Sequence, residues 1–278
     1  GGSLYDSTVP EYFYRLSNGS YSNGSGCGNE TASNHVMFKK YMIDSLKHWM
    51  LDYHINGFRF DLMAIHETDV MKDVYDELCK IDPNVMVYGE PWAGGGALAN
   101  PATEAAVASE INSMGAGAFD DDFRNAIKGG EFGGFQQGHV QGKYEDVKIV
   151  NGLKGGSCTR NKTGNPALSI HYVECHDNYT LYDRFKAAGI TDEAEVKKMA
   201  MLANSIVFTS QGTTFMLAGE EFLITKGGNH NSYNASYEVN ELDYELKVDN
   251  MKAFENYEIW WVTGAQLLYG GETVKIGV

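Results

Sequence analysis

The chain has 278 residues, 43% of them apolar, and a formal net charge of −15. This size suffices for one substantial core, so one domain or part of one is expected. The negative charge repels phosphate backbones and anionic lipid, and the 22 basic residues form no cluster, so nucleic acid and membrane surfaces are excluded as partners. The start, Gly1 to Tyr5, has no Met, basic region or apolar signal stretch, which indicates an internal piece or a processed product.

The N-terminal part of the chain is predicted to be a long loop followed by a helix. Residues 1–34 are rich in Gly, Ser, Asn and Tyr without periodicity, which is typical of an ordered loop. Apolar residues then recur every three or four positions until Asn56-Gly57, which predicts a helix with one buried face. The residues predicted to form that core face are Phe38, Met42, Leu46, Trp49 and Tyr53.

Strands and helices are then predicted to alternate. Gly57–Met63 is short, aromatic and apolar apart from two charges, as expected for a strand covered on both faces. A helical pattern from Val70 to Ile81 ends at Asp82-Pro83-Asn84, and Val85–Glu90 is a second strand. The alternation favours a parallel sheet.

Later segments continue this alternation. The predicted elements are a strand near Ile111–Met114, a helix around Phe123–Ile127, a strand at Leu168–Val173, a helix at Glu193–Phe208 and a strand at Thr214–Ala218. Such alternation fits either a barrel or an open doubly wound sheet, and periodicity does not choose between them.

Polar residues stand at the C-terminal ends of three predicted strands. These are Asp61, Glu90 and the run His176-Asp177-Asn178. In α/β barrels the active site is built at that end of the strands, so three carboxylates are expected to converge there.

Two carboxylates facing a sugar can take different catalytic roles when their environments differ. The ionised one acts as nucleophile, and the protonated one acts as general acid. Arg59 lies two residues before Asp61 on the same strand face, so its charge is expected to keep Asp61 ionised. Glu90 stands between Gly89 and Pro91-Trp92, where desolvation would keep it protonated.

At these residues the chain resembles a known family. Gly57-Phe58-Arg59-Phe60-Asp61, Tyr88-Gly89-Glu90-Pro91-Trp92 and Cys175-His176-Asp177-Asn178 are similar to three ordered signature regions of the α-amylase superfamily of glycoside hydrolases. From about Leu4 to Lys247 the chain resembles type I pullulanases, which hydrolyse α-1,6 branch linkages. Two motifs carry this finer resemblance: Ala218-Gly219-Glu220-Glu221-Phe222 and Gly228-Asn229-His230-Asn231-Ser232-Tyr233-Asn234.

The resemblance implies an α/β fold, a truncated (β/α)8 TIM barrel of the α-amylase type with about five of its strand-helix units. Residues 1–34 would form a loop region on the active-site side, and residues 35–278 the partial barrel. It implies that Asp61 is the nucleophile and Glu90 the acid and base, with their carboxyl groups roughly 5–5.5 Å apart.

The resemblance also assigns substrate contacts. Asp177 and His176 would bind hydroxyls of the distorted sugar, and Arg59 would orient Asp61. The implied substrates are pullulan, starch or glycogen; no cofactor is implied for the chemistry, and a structural calcium is compatible with the full-length enzyme. The remaining implied subsite residues are Trp92, Asn178, Tyr233 and Asn234.

The departures from the family leave alternatives open. An early signature ending in Asn-His, which supplies a sugar-binding His, is absent, and we expect the isolated chain to be weakly active or inactive. The alternatives are an isoamylase-like, glycogen-debranching or amylopullulanase activity, or a non-catalytic α-glucan-binding protein. Location stays open, with the acidic surface and polymeric substrate favouring the outside of the cell or its surface.

Other patterns receive structural interpretations. Cys175 beside His176 is not expected to be a nucleophile, because adjacent strand residues point to opposite faces. The run Asp120-Asp121-Asp122 lacks the ligand spacing of a calcium loop and is interpreted as a solvated helix start. Gly94-Gly95-Gly96 is not followed by the Lys-Ser/Thr of a phosphate loop, and Trp260-Trp261 is predicted to pack on a helix.

Overall fold

The computed structural model describes residues 3–94, 108–131, 134–156 and 165–246. Gly95, Gly96, Trp260 and Trp261, for which interpretations were given above, lie outside these ranges. Within them, no helix has both the length and the apolar character that a membrane crossing needs.

The chain divides into two compact units. The first comprises Gly1–Phe119 and Arg160–Leu168, and the second comprises Asp120–Thr159 and Ser169–Val278.

The first unit alternates strands with helices. Its elements are α1 Leu4–Thr8, β1 Leu16–Ser17, β2 Ser20–Tyr21, α2 Val36–Tyr53, β3 Gly57–Phe60, α3 Thr68–Cys79, β4 Met86–Gly89, α4 Ala108–Ser113 and β5 Gly117–Phe119. Strands β1 and β2 form an antiparallel hairpin, whereas β3, β4 and β5 pair in parallel in that order. The two strands predicted around Asp61 and Glu90, and the helix between them, are thereby confirmed.

The core of the first unit lies between this sheet and its helices. Val74 and Leu78 of α3 are fully buried, and they pack with Val87 of β4 and Ile111 of α4. Burying such side chains stabilises the unit by roughly 1.5–3 kcal/mol each.

The buried face of α2 differs from the predicted one. Trp49 is 45% exposed, so its assignment to the core was wrong. The face that packs on the core instead consists of Met42, Ile43, Leu46 and Met50. Trp49 lies on the neighbouring face, where its ring contacts Tyr53 at 4.6 Å between centroids. Met42 and Leu46 of the predicted face therefore pack on the core, whereas Trp49 and Tyr53, which is 58% exposed, lie off it.

The strand predicted near Ile111–Met114 was also wrong. This run ends helix α4, a turn follows at Gly115 with a φ of +99°, and the strand β5 begins at Gly117. A short apolar run has no length over which the helical and strand periods can be distinguished. Ile111 is buried in either conformation, so its burial did not reveal the element.

The N-terminal segment contains regular structure that the sequence did not predict. Helix α1 is capped by the Ser3 side chain, which accepts from the Asp6 amide at 3.0 Å. The hairpin of β1 and β2 turns at Asn18 and Gly19, both with positive φ. The predicted loop therefore contains short hydrogen-bonded elements, and most of residues 3–34 lie outside helices and strands.

The second unit contains seven helices and strands among its described residues. They are α5 Asp121–Lys128, α6 Asp146–Leu153, β6 Ser169–His171, α7 Leu181–Ala187, α8 Glu193–Thr209, β7 Thr213–Thr214 and α9 Tyr237–Asn240. Strands β6 and β7 are parallel, with Ile170 opposite Thr213. The predicted helices at 123–127 and 193–208 are confirmed, as is the strand at 168–173, whereas β7 is shorter than the predicted strand at 214–218.

The core of the second unit is formed by helices α5, α6, α7 and α8 together with Val173, which follows β6. Phe123, Leu181, Phe185 and Val196 are each at most 1% exposed and belong to one cluster. This packing holds the residues that follow β6.

The Asp120 run starts helix α5, as predicted, but Asp120 is not solvated. It is 3% exposed, and its Oδ1 accepts from the Phe123 amide at 3.0 Å. The buried carboxylate caps an amide that has no partner inside the helix.

Candidate active site

Asp61 and Glu90 lie side by side at the carboxyl edge of two neighbouring strands. In the parallel pairing of β3 with β4, Phe60 stands opposite Gly89. The next residues along the two strands are Asp61 and Glu90, and the Glu90 amide donates to Phe60 O at 3.2 Å. The strand register therefore brings together two carboxylates that are 29 positions apart in the sequence.

The guanidinium of Arg59 joins these two carboxylates. Its Nη1 contacts Asp61 Oδ1, and its Nη2 lies 2.9 Å from Glu90 Oε1. The Arg59 guanidinium also lies 5.8 Å from the ring centroid of Phe119. The contact with Asp61 agrees with the predicted orientation of that residue, but the contact with Glu90 was not predicted.

The two carboxylates differ in solvent exposure. The Asp61 side chain is 67% exposed and the Glu90 side chain 8%. The predicted desolvation of Glu90 is therefore observed. Glu90 Oε2 accepts from the Leu62 amide at 2.7 Å, so the buried carboxylate has donors on both oxygens. Burial opposes a charge on Glu90, whereas these donors stabilise one.

Trp92 lies two residues after Glu90 and is partly buried. The chain between them passes through the buried Pro91, and Gly94 follows with a φ of +95°. A Cβ at Gly94 would lie 2.2 Å from Ser25 O, so the loop after Glu90 runs directly against the N-terminal segment.

His176, Asp177 and Asn178 lie in the second unit, directly after β6 and its buried continuation. The side chains of His176 and Asp177 are 55% and 53% exposed, and His176 Nε2 lies 3.6 Å from Asp177 Oδ2. Asn178 has a φ of +64°, a conformation that Asn tolerates better than most residues. The loop thus presents two polar side chains to solvent.

Lys226 joins this loop to the segment that contains Tyr233 and Asn234. Its Nζ donates to Ser232 Oγ at 2.7 Å and to His176 O at 3.4 Å. Ser232 is 3% exposed and Tyr233 is 78% exposed. Each unit therefore brings together its own predicted residues: Asp61, Glu90 and Arg59 in the first, and the 176–178 loop with the 232–234 segment in the second.

Sequence reasoning missed a buried carboxyl at the start of the same loop. Glu174 is 1% exposed, and its Oε2 accepts from the Leu181 amide at 2.7 Å, which closes the loop of residues 175–180. Burial raises the pKa of Glu174 to about 7, and the charges of Lys128 and Lys226 partly oppose this. A glutamate within the apolar run Tyr172–Cys175 was the available signal.

Glu220 is a second buried carboxyl of this unit. It is 2% exposed, and its pKa is raised well above the ordinary value, first by burial and then by the charge of Glu174. Cys175 has a raised thiol pKa because of burial, which favours the unreactive thiol.

The described residues contain no group of three or more His, Cys, Asp or Glu side chains arranged to hold a metal ion. The calcium expected for the full-length enzyme stays a prediction.

The class of protein is defined by a parallel α/β sheet with two carboxylates at the ends of adjacent strands. One carboxylate is buried, the other is exposed, and an arginine lies between them. Carboxylate pairs at this edge of an α/β barrel are the catalytic groups of glycoside hydrolases.

Comparison with known proteins agrees with this class. A pullulanase from Bacillus subtilis is 35% identical in an alignment of 255 residues that covers 88% of this chain and 35% of the relative. The pullulanase structure from Bacillus acidopullulyticus matches with a TM-score of 0.84 at 41% identity, covering 91% of this chain and 31% of that one. The pullulanase of Anoxybacillus sp. LM18-11, complexed with maltotetraose, also matches with a TM-score of 0.84 at 36% identity, covering 91% and 37%. No family model matches the chain.

The chain belongs to the pullulanases and corresponds to part of such an enzyme. It spans about a third of the length of the relatives it matches. The structural matches confirm the predicted fold class, a part of an α/β barrel of the α-amylase type.

Proposed function

We propose that this chain carries the catalytic carboxylates of a retaining glycoside hydrolase that cleaves α-1,6 linkages in pullulan, starch or related α-glucans. The observation that carries the proposal is the placement of Asp61 and Glu90 on adjacent strands, with Arg59 between them. The names of the relatives support the linkage.

In the first step the Asp61 carboxylate attacks the anomeric carbon of the sugar. The bond from that carbon to the bridging oxygen breaks, and Glu90 donates its proton to the leaving oxygen. The products are a glycosyl ester on Asp61 and a free glucan hydroxyl. Arg59 orients Asp61 for this attack.

In the second step Glu90, now ionised, takes a proton from water, whose oxygen attacks the anomeric carbon and displaces Asp61. Two inversions retain the anomeric configuration. These steps use protein carboxyl groups and water, so the chemistry requires no cofactor.

The remaining predicted residues bind substrate. Asp177 and His176 hold hydroxyls of the distorted sugar, and Asn178 assists them from the same loop. Trp92, Tyr233 and Asn234 line sugar subsites, with the aromatic faces against pyranose rings. The exposure of Tyr233 and Asp177 supports this assignment. A polymeric substrate favours a secreted or cell-surface location.

Product analysis on pullulan tests the proposal. We expect slow release of maltotriose, because pullulan cut at its α-1,6 bonds gives that product, and we expect Glu90→Gln to abolish it. Release of other products would favour an α-1,4 or mixed activity. Glucan binding without turnover, unchanged in Asp61→Asn, would favour a binding protein instead.

A further inference from the structure

A buried cluster of one arginine and two glutamates lies in the first unit, outside the residues assigned above. Arg15 is 6% exposed, Glu30 1% and Glu67 4%. The Arg15 guanidinium donates from Nη1 to Glu30 Oε1 at 2.7 Å, and from Nη2 to both oxygens of Glu67 at 2.7 Å. It thereby joins the N-terminal segment to Glu67, the residue directly before α3.

A contribution to the stability of the fold does not explain this cluster well. Two negative charges share one positive charge away from water, and desolvation of such groups often exceeds the Coulomb energy gained. The second oxygen of Glu30 has donors of its own, Ser22 Oγ at 2.9 Å and the Gly24 amide at 3.0 Å. This many directional hydrogen bonds fix the positions of the three side chains relative to each other.

A path of hydrogen bonds leads from this cluster to the general acid. Arg15 Nη1 also donates to Ile65 O at 2.7 Å. The Ile65 amide donates to Leu62 O at 2.9 Å, and the Leu62 amide donates to Glu90 Oε2 at 2.7 Å. Arg15 thus fixes the turn of residues 62–65 through Ile65. The first residue of that turn, Leu62, hydrogen-bonds to Glu90.

The turn needs these hydrogen bonds, because Leu62 has an unfavourable backbone conformation. Its φ is +43° and its ψ is +50°, the left-handed region in which the Cβ of an L-residue is crowded. A conformation of this kind persists only where the surrounding structure over-determines it. Here it aims the Leu62 amide at Glu90.

The cluster also supports the loop after Glu90. Glu30 fixes the Gly24 amide, and the neighbouring Ser25 O lies where a Cβ of Gly94 would be 2.2 Å away. The same buried glutamate therefore sets the surface on which the loop from Pro91 to Gly94 rests.

We propose that Arg15 is a positioning residue of the catalytic centre. Through Ile65 and Leu62 it sets the orientation of the Glu90 carboxyl, and it thereby controls protonation of the leaving oxygen. This inference rests on the proposed function, since it gives Glu90 the role of general acid.

The test compares two substrates that differ in their need for an acid. Pullulan requires protonation of its leaving oxygen, whereas α-maltosyl fluoride loses fluoride without it. Arg15→Lys keeps the positive charge but loses the planar set of guanidinium donors. In this variant we expect pullulan turnover to fall at least about tenfold, within the range that acid catalysis contributes. Formation of the glycosyl-enzyme from the fluoride should change less than about threefold by the same reasoning.

A stability control is Leu78→Ala, which opens the core of the first unit but leaves the hydrogen bonds between Arg15 and Glu90 in place. It should lower the melting temperature while leaving the ratio of the two rates unchanged. If Arg15→Lys lowers both rates in proportion, or neither, Arg15 only supports the fold and the proposal is overturned. Should that variant fail to fold, Glu30→Gln, which weakens the same cluster, provides the same comparison.

Hydrogen exchange keeps the proposal testable apart from turnover. In Arg15→Lys the Leu62 amide should exchange at least about tenfold faster relative to the amides of α3, because its local protection is lost. A Glu90→Gln variant that hydrolyses pullulan as fast as the unmodified chain would count against the proposed function alone. Unchanged exchange at Leu62 would overturn the positioning role alone.

Discussion

The guanidinium of Arg59 contacts the carboxylates of both Asp61 and Glu90, with Nη1 on the first and Nη2 on the second. A planar fork of donors can hold two carboxylates in one plane, whereas a lysine ammonium acts as a single point charge. The two carboxylates are therefore oriented relative to each other by one side chain.

Arg59→Lys should accordingly lower kcat for pullulan by about 10- to 100-fold, because misplacement of a catalytic group by about 1 Å costs up to about 100-fold. Binding of maltotetraose should change less than turnover. Lys72→Gln removes an exposed ion pair on α3 and serves as the control. An Arg59→Lys enzyme with unchanged kcat would show that the bridge is not used.

The roles of Asp61 and Glu90 should separate when the leaving group changes. Glu90→Gln should lose pullulan turnover by about 10²- to 10⁴-fold, the usual contribution of a general acid. It should still form a glycosyl-enzyme from α-maltosyl fluoride, because fluoride needs no proton, whereas Asp61→Asn should react with neither. Burst kinetics with released fluoride measure this. Equal losses on both substrates in Glu90→Gln would assign the acid to another residue.

The buried Glu174 should make stability depend on pH. Its pKa is raised from 4.5 to about 7, so its protonated form is favoured by folding. Its contribution to stability is complete below pH 4.5 and is lost as the pH rises to about 7. Glu174→Gln keeps the shape and the acceptor for the Leu181 amide without the charge.

We therefore expect Glu174→Gln to raise the melting temperature at pH 8 and to leave it unchanged at pH 4.5, as measured by circular dichroism. Glu195→Gln, on the exposed side of α8, should change neither value. A lower melting temperature of Glu174→Gln at pH 8 would mean that the ionised form is the stabilising one.

Two buried histidines should make stability depend on pH in the opposite direction. The pKa of His66 is lowered from 6.5 to about 4 by burial and by the charge of Arg15, and burial lowers the pKa of His171 to about 4. The unfolded chain takes up these protons first, so stability should fall as the pH drops from 6.5 towards 4.

Proton NMR of the imidazole groups measures this directly. Both rings should remain neutral at pH 5, and Arg15→Gln should raise the pKa of His66 while leaving that of His171 unchanged. A titration of His66 with a midpoint near 6.5 would contradict its burial.

The sequence predicted the parts of the site that depend on local pattern. Asp61 and Glu90 stand where short apolar runs end, and polar residues at strand ends are visible without a structure. The helix at Ile111 was mistaken for a strand because its run is short, and Trp49 was wrongly assigned to the packed face.

The parts that sequence could not predict depend on contacts between distant segments. The bond from Arg59 to Glu90 depends on the pairing of Phe60 with Gly89, which periodicity does not contain. The Arg15 cluster joins a segment without periodicity to residues about 50 positions away. Burial of Glu174 follows from the helices packed around β6, and a single sequence does not display that packing.

Mass spectrometry of a trapped intermediate tests most directly the claim that Asp61 is the nucleophile beside the acid Glu90. Glu90→Gln is incubated with α-maltosyl fluoride, because without the base the glycosyl-enzyme should accumulate. We predict a mass gain of one maltosyl unit on the peptide that contains Asp61, and no gain in the Asp61→Asn, Glu90→Gln double variant. A maltosyl unit on another peptide, or none on the single variant, would contradict the mechanism.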